Sequence, residues 1–261
     1  MSGPTPLLDF FKRGEVARDV RLLAAAGAVA PRAYEQLAIL VLLLDDADPE
    51  VRQTADATLK RIPVEALRAF LARPDVPVTL RDFFANRSIA PDHIETLEQT
   101  GDADLPLIEA VVAPDRGTSD DDARKSATQL ISDMGFTDRL KAAVKGSREM
   151  RAILIRDTNK MIAAAVLSSP RLSEQEVEGF ARMPNVSEDV LRIIGATRAW
   201  MKNYGIAVAL TRNPKTPLGL SMNLMSRLND RDLAMLSVDR NVPEALRIMA
   251  RKKVVAATSR K

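Results

Sequence analysis

Short helices stacked in tandem, with no sheet, are what these residues predict, and three features carry that prediction. Alanine and leucine, both strong helix formers, supply 67 of the 261 residues. Aromatics are only 4%, and alternating runs of β-branched residues are hard to find, so strands have little to build on. Glycine and proline fall mostly between apolar-periodic stretches and not inside them.

In chain order the periodicity predicts helices over 15–27, 32–45, 49–60, 63–72, 77–85, 91–99 and 105–112. It then predicts 120–134, 137–145, 147–155, 158–168, 173–182, 187–195, 197–211, 216–227, 230–236 and 243–256. Pro77, Pro91, Pro217 and Pro243 suit first helical turns, and Ser173 and Ser187 are good N-caps. Ser173 with Glu176 completes a capping box, whereas Ser187 has Val190 in that place. Asn185, Asn213 and Asn241 are expected to close helices in the left-handed conformation. The run MIAAAVL at 161–167 is apolar on every side and is expected to be buried. Trp200, Tyr204, Ala207 and Val208 fall on one stripe of a helix over 197–211, expected to pack inward with Arg198 and Lys202 on its flank. That reading outweighs the alternative of base stacking by Trp200.

The turns resemble one another. ARPDVPVTLRDF from 72, ANRSIAPDHIETL from 85, SSPRLSEQEVEGF from 168, RMPNVSEDVLRII from 182, TRNPKTPLGLSMNL from 211 and DRNVPEALRIMA from 239 share one order. Each closes a helix, turns through Pro or Asn, adds a β-branched or apolar residue, and opens the next helix at Ser or Pro. These phrases, over 72–99 and 156–256, resemble the leucine-rich repeat variant, and DDADPEVRQTADATL from 45, within 31–60, resembles a HEAT-type repeat helix. The spacing departs from a strict repeat: Pro170 to Pro184 is 14 residues and Pro184 to Pro214 is 30. The resemblance implies a right-handed α-solenoid whose helix pairs stack into one core and expose a long surface for another macromolecule. The iron–sulfur cluster of one member of that family has no ligands here, because the chain has no cysteine.

The net charge of +3 hides an asymmetry. Residues 1–137 hold 15 Lys and Arg against 23 Asp and Glu, and residues 138–261 hold 23 against 12. The stretch APDRGTS at 113–119 is the least repeat-like, so two lobes are expected: an acidic one over 1–112, a linker at 113–119 and a basic one over 120–261. Asp120, Asp121 and Asp122 read as the first turn of a helix capped by Ser119, in preference to a metal site.

Site chemistry is sparse. Without cysteine, thiolate metals, disulfides and cysteine nucleophiles are excluded, and a cytoplasmic home is expected. The one histidine, His93, is expected on an exposed first turn, and no phosphate-cradling glycine motif occurs. No catalytic residue, metal or cofactor is therefore assigned. The longest apolar run, Leu37 to Leu44, is far too short for a membrane span, and the first residues lack the pattern of a secretory signal. What remains is a set of basic residues, Arg151, Arg156, Lys160, Arg198, Lys202, Arg212 and Lys215, expected to align along a solenoid edge as a binding stripe. Cations at helix C-termini also complement the dipole, which is the plainer account of them. The closing RKKVVAATSRK is expected to be a frayed basic helix end.

The expectation is a non-catalytic protein–protein interaction module or scaffold whose partner carries an acidic segment. Nucleic-acid binding by the basic lobe is the alternative, by analogy with HEAT-like alkylpurine DNA glycosylases, although the acidic half opposes a duplex along the whole surface. Self-association, acidic lobe to basic lobe, is a third reading.

Overall fold

The computed structural model describes residues 6–30, 32–91, 107 and 120–258. The fold is all-α, with sixteen α-helices, a 3₁₀ turn at Trp200–Lys202 and no strand among the described residues. The chain divides into two compact units, Met1–Arg151 with Ser168–Pro170, and Ala152–Leu167 with Arg171–Lys261. His93, the expected linker at 113–119 and, but for Pro91 and Leu107, the helices expected at 91–99 and 105–112 lie outside the described residues.

The first unit holds α1 (Pro6–Arg13), α2 (Arg18–Ala25), α3 (Ala33–Leu43), α4 (Pro49–Arg61), α5 (Val64–Leu71), α6 (Val78–Ala85), α7 (Asp120–Asp133) and α8 (Phe136–Lys145). The following helix, α9 (Arg148–Leu154), begins in the first unit and ends in the second. Helix α1 is additional to the expected set. It buries Leu7, Leu8 and Phe11, which stand one and four residues apart on one face, and packs on α3. Helix α3 supplies the centre of this unit, because its run of aliphatic residues buries Leu37, Ile39, Leu40 and Leu43 among α1, α2 and α4.

The second unit holds α10 (Lys160–Ser168, the last residue excepted), α11 (Glu174–Arg182), α12 (Glu188–Ala196), α13 (Tyr204–Arg212), α14 (Leu218–Met225), α15 (Asp230–Val238) and α16 (Glu244–Thr258). Every residue from Met161 to Leu167 is buried, as an all-round apolar helix requires. Neighbours in sequence pack together, α11 with α12, α13 with α14 and α15 with α16, while α11 also packs on α13 and α14 on α16. Met225, Leu228, Leu233, Leu236, Val242, Leu246 and Ala250 form one apolar cluster across the last three helices.

The similar turns have a shared physical basis. In four of them the residue before the helix opening is buried: Val76, Val186, Thr216 and Val242 precede Pro77, Ser187, Pro217 and Pro243, whereas Leu172 before Ser173 is half-buried. Burying a valine contributes about 1.5–3 kcal/mol, so the turns at Val76, Val186 and Val242 are each anchored by their own side chain. The capping box of α11 is present, with the Ser173 N–H donating to Glu176 Oε2 at 3.1 Å and the Glu176 N–H to Ser173 Oγ at 3.3 Å.

Two expectations are corrected. No asparagine among the described residues adopts the left-handed conformation; Ser88, φ 61°, is the only non-glycine residue that does so there. Asn213 is extended, φ −78°, and works through its side chain instead. The single helix over 197–211 is broken: Asn203 caps α13 by accepting the Gly205 N–H at 2.9 Å, and the preceding residues form the 3₁₀ turn. Trp200 and Ala207 are buried, but Tyr204 is 41% exposed, because the break rotates it off the expected stripe.

Candidate interaction surface

In the second unit, side chains link each helix pair to the next at a separation near one pair length. Asn203 Nδ2 donates to Glu174 Oε2 at 3.0 Å, joining the starts of α13 and α11. Asn213 Nδ2 donates to the carbonyls of Ala181 at 2.8 Å and Met183 at 2.9 Å, while Asn213 Oδ1 accepts the Lys215 N–H at 3.0 Å. A buried amide thereby satisfies two carbonyls at the end of α11 that the helix leaves orphaned. Tyr204 Oη donates to Asp232 and accepts the Asn229 N–H at 3.1 Å, joining α13 to the start of α15. Partial desolvation holds the Tyr204 hydroxyl above the usual tyrosine value, with the Asp232 charge adding to it. At Gly205 the approach to α11 is close enough that a Cβ would fall 2.8 Å from the Glu178 carboxylate.

These contacts also show where the basic residues stand. Arg151 is 4% exposed, and its guanidinium donates to the Gly146 carbonyl at 2.9 Å, so it holds a helix entry and offers little to a ligand from solvent. Arg156 is exposed and its Nε donates to the Ala152 carbonyl at 3.2 Å. Lys160 meets Asp189 at 2.8 Å, and Arg212 meets Asp232 at 2.9 Å. Arg198, Lys202 and Lys215 are exposed. Lys202 stands before the start of α13 and Lys215 beyond its end, so a helix of nine residues separates them. At 1.5 Å per residue that is about 14 Å, and the two cations occupy opposite edges of the α11–α13 layer.

The acidic cluster of the first unit is occupied by its own cations. Arg18 bonds Asp48 and Glu50, and Arg21 meets Asp46 at 2.8 Å. Arg52 donates to the Asp46 carbonyl at 2.6 Å and the Ala47 carbonyl at 3.0 Å. Asp48 caps α4 through the Glu50 N–H at 2.9 Å, and the Arg18 hydrogen bond holds its carboxyl below the usual range. A cleft of about 280 Å³ beside this cluster is lined by Phe11, Val16, Leu42 and Leu43 together with the Arg21–Asp46 pair.

Helix α16 carries what the sequence reading passed over. The RKK run is not a frayed end but lies in the middle of a helix that continues to Thr258. Leu246 and Ala250 are buried on one side, while Ala245, Ile248, Met249, Val255 and Ala256 are exposed on the other. The spacing of those exposed residues was the available signal, masked by the apolar residues of the buried side.

Among the described residues no three histidines or carboxylates gather as a metal site would, and no helix is long and apolar enough to cross a membrane. Compared with family models, curated proteins and solved structures, the chain matches none.

Proposed function

We propose that this chain is a non-catalytic interaction module of the α-solenoid kind, with HEAT-like or leucine-rich-repeat-variant-like helix pairs, that binds a protein bearing an acidic segment. The observation that carries the reading is the linkage of successive helix pairs in the second unit. Asn203, Tyr204 and Asn213 each reach a residue about one pair away. Units joined in this way extend a core by stacking and leave a broad outer surface, which suits a polypeptide better than a small substrate. Exposed Arg198 and Lys202, before α13, and Lys215, beyond its other end, each supply positive charge to it.

The test uses the full, nuclease-treated chain, its complexes followed by light scattering, and a variant carrying Arg198→Glu, Lys202→Glu and Lys215→Glu. The expected result is retention of a protein partner that the triple variant loses, with no binding of duplex or single-stranded DNA. Tight DNA binding that falls steeply with salt would overturn it in favour of a nucleic-acid partner.

A further inference from the structure

Helix α16 is amphipathic twice over. Leu246 and Ala250 join the core cluster, with Val254 packed against it. On the opposite side Ala245, Met249 and Ala256 recur at i, i+4 and i+11, and Ile248, Lys252 and Val255 at i, i+4 and i+7. In a 3.6-residue helix these six positions fall within one stripe centred well away from the core side. Ile248 is 45%, Met249 41% and Val255 60% exposed. Small Ala245 and Ala256 near the two ends of the stripe let another backbone come close. Arg251 and Lys253 flank it, Lys252 stands within it, and Glu244 is the helix's one carboxylate.

We infer that this outer face of α16 is the docking site for an acidic amphipathic helix of a partner protein. The inference rests on the protein-binding reading above and assigns its main contact to α16. Charge complementarity selects the occupant. In a second copy, antiparallel pairing about the helix midpoint would set Arg251, Lys252 and Lys253 against the same three cations. A lipid surface would have to accommodate Lys252 in the centre of the apolar stripe, where a carboxylate from a partner helix satisfies it directly. The 15 residues of α16 span about 22 Å, room for four turns of a partner whose apolar i, i+3, i+4 and i+7 residues meet the stripe. Acidic residues at the edges of that partner would face Arg251 and Lys253.

The experiment titrates the full chain with labelled helical peptides of about 18 residues, each with one leucine stripe flanked either by glutamates or by lysines. The glutamate peptide is expected to bind about tenfold more tightly than the lysine peptide, with new hydrogen-exchange protection confined to 245–256. Ile248→Glu should weaken it about tenfold, and Arg251→Glu with Lys253→Glu should remove the preference for glutamate. All three substituted side chains are exposed, and unchanged helicity by circular dichroism checks that the fold is kept. Equal binding of the two peptides, binding that survives Ile248→Glu, or protection elsewhere would overturn the site. So would self-association abolished by Ile248→Glu, which indicates a second copy, or binding to anionic vesicles through the same residues, which indicates a lipid surface. Peptide failure alongside a protein partner still released by the Arg198, Lys202 and Lys215 variant would sink the α16 site and leave the module reading standing. Failure to retain any protein would sink the module reading itself.

Discussion

The turn between α3 and α4 and the turn between α13 and α14 do the same job with different chemistry. The first is tied by charge, with Arg18, Arg21 and Arg52 gathered on Asp46, Asp48 and Glu50 and the nearby carbonyls. The second is tied by a buried neutral amide, Asn213, and by the apolar anchoring of its neighbours. In the first unit Asp46, Asp48, Glu50, Asp56 and Asp75 are matched by neighbouring cations, whereas Arg198, Lys202 and the Arg251–Lys253 run stand exposed on the second. Pairing, and not the charge total, decides which surface has a field to offer a partner.

Loss of packing in the second unit carries the largest expected effect. Leu210→Ala, at a fully buried position, should cost about 3–4 kcal/mol by urea denaturation. Its loss of hydrogen-exchange protection should be concentrated in 171–258. Asn213→Ala should cost about 2–3 kcal/mol, because it leaves the Ala181 and Met183 carbonyls buried and unbonded. A cost well under 1 kcal/mol would show that the amide link is incidental.

A gain sharpens the same contrast. Thr216 Oγ1 is buried with no hydrogen-bond partner, at the position that is valine in three sister turns. Thr216→Val should therefore raise stability by about 1 kcal/mol, read as a higher urea midpoint with an unchanged slope. Ser173→Ala removes the capping box of α11 and should cost about 1 kcal/mol.

The smallest effect distinguishes the charged turn by pH. The Asp48 carboxyl is held below its ordinary value by Arg18, so it binds its proton less readily folded than unfolded. Its stabilisation is present above the unfolded carboxylate value, about 3.9, and is lost as pH falls through the lower folded one. Asp75 behaves alike: burial pushes its carboxyl up, but the Arg73 hydrogen bond and charge outweigh this and lower it. Acidification below about pH 4 should loosen the α3–α4 turn by hydrogen exchange before the Asn213 turn responds. Simultaneous loosening of both would mean that the ion pairs do not set the first turn's stability.

Much of the fold was legible because it depends on neighbours in sequence. Ser173 and Glu176 lie three residues apart and make their capping box whatever surrounds them. MIAAAVL is apolar on every side and was bound to be buried. Helix α1 was missed although Leu7, Leu8 and Phe11 share one face of it, and those residues gain their meaning only against α3. Of the candidate surface, the residue types were legible but their pairing was not. Lys160 and Asp189 are 29 positions apart, and nothing local announces that they meet.

Composition, periodicity and turn chemistry alone determined that this protein is helical, where most of its helices begin and end, and that its charge is divided. Those properties follow from interactions within a few residues, which the unfolded chain already encodes. Tertiary structure alone decided that Asn213 bonds across to α11, that Arg151 is buried and that one side of α16 stays exposed. Each of these depends on which distant segment fills the space beside a side chain, and that is set by how the helices pack and not by their order.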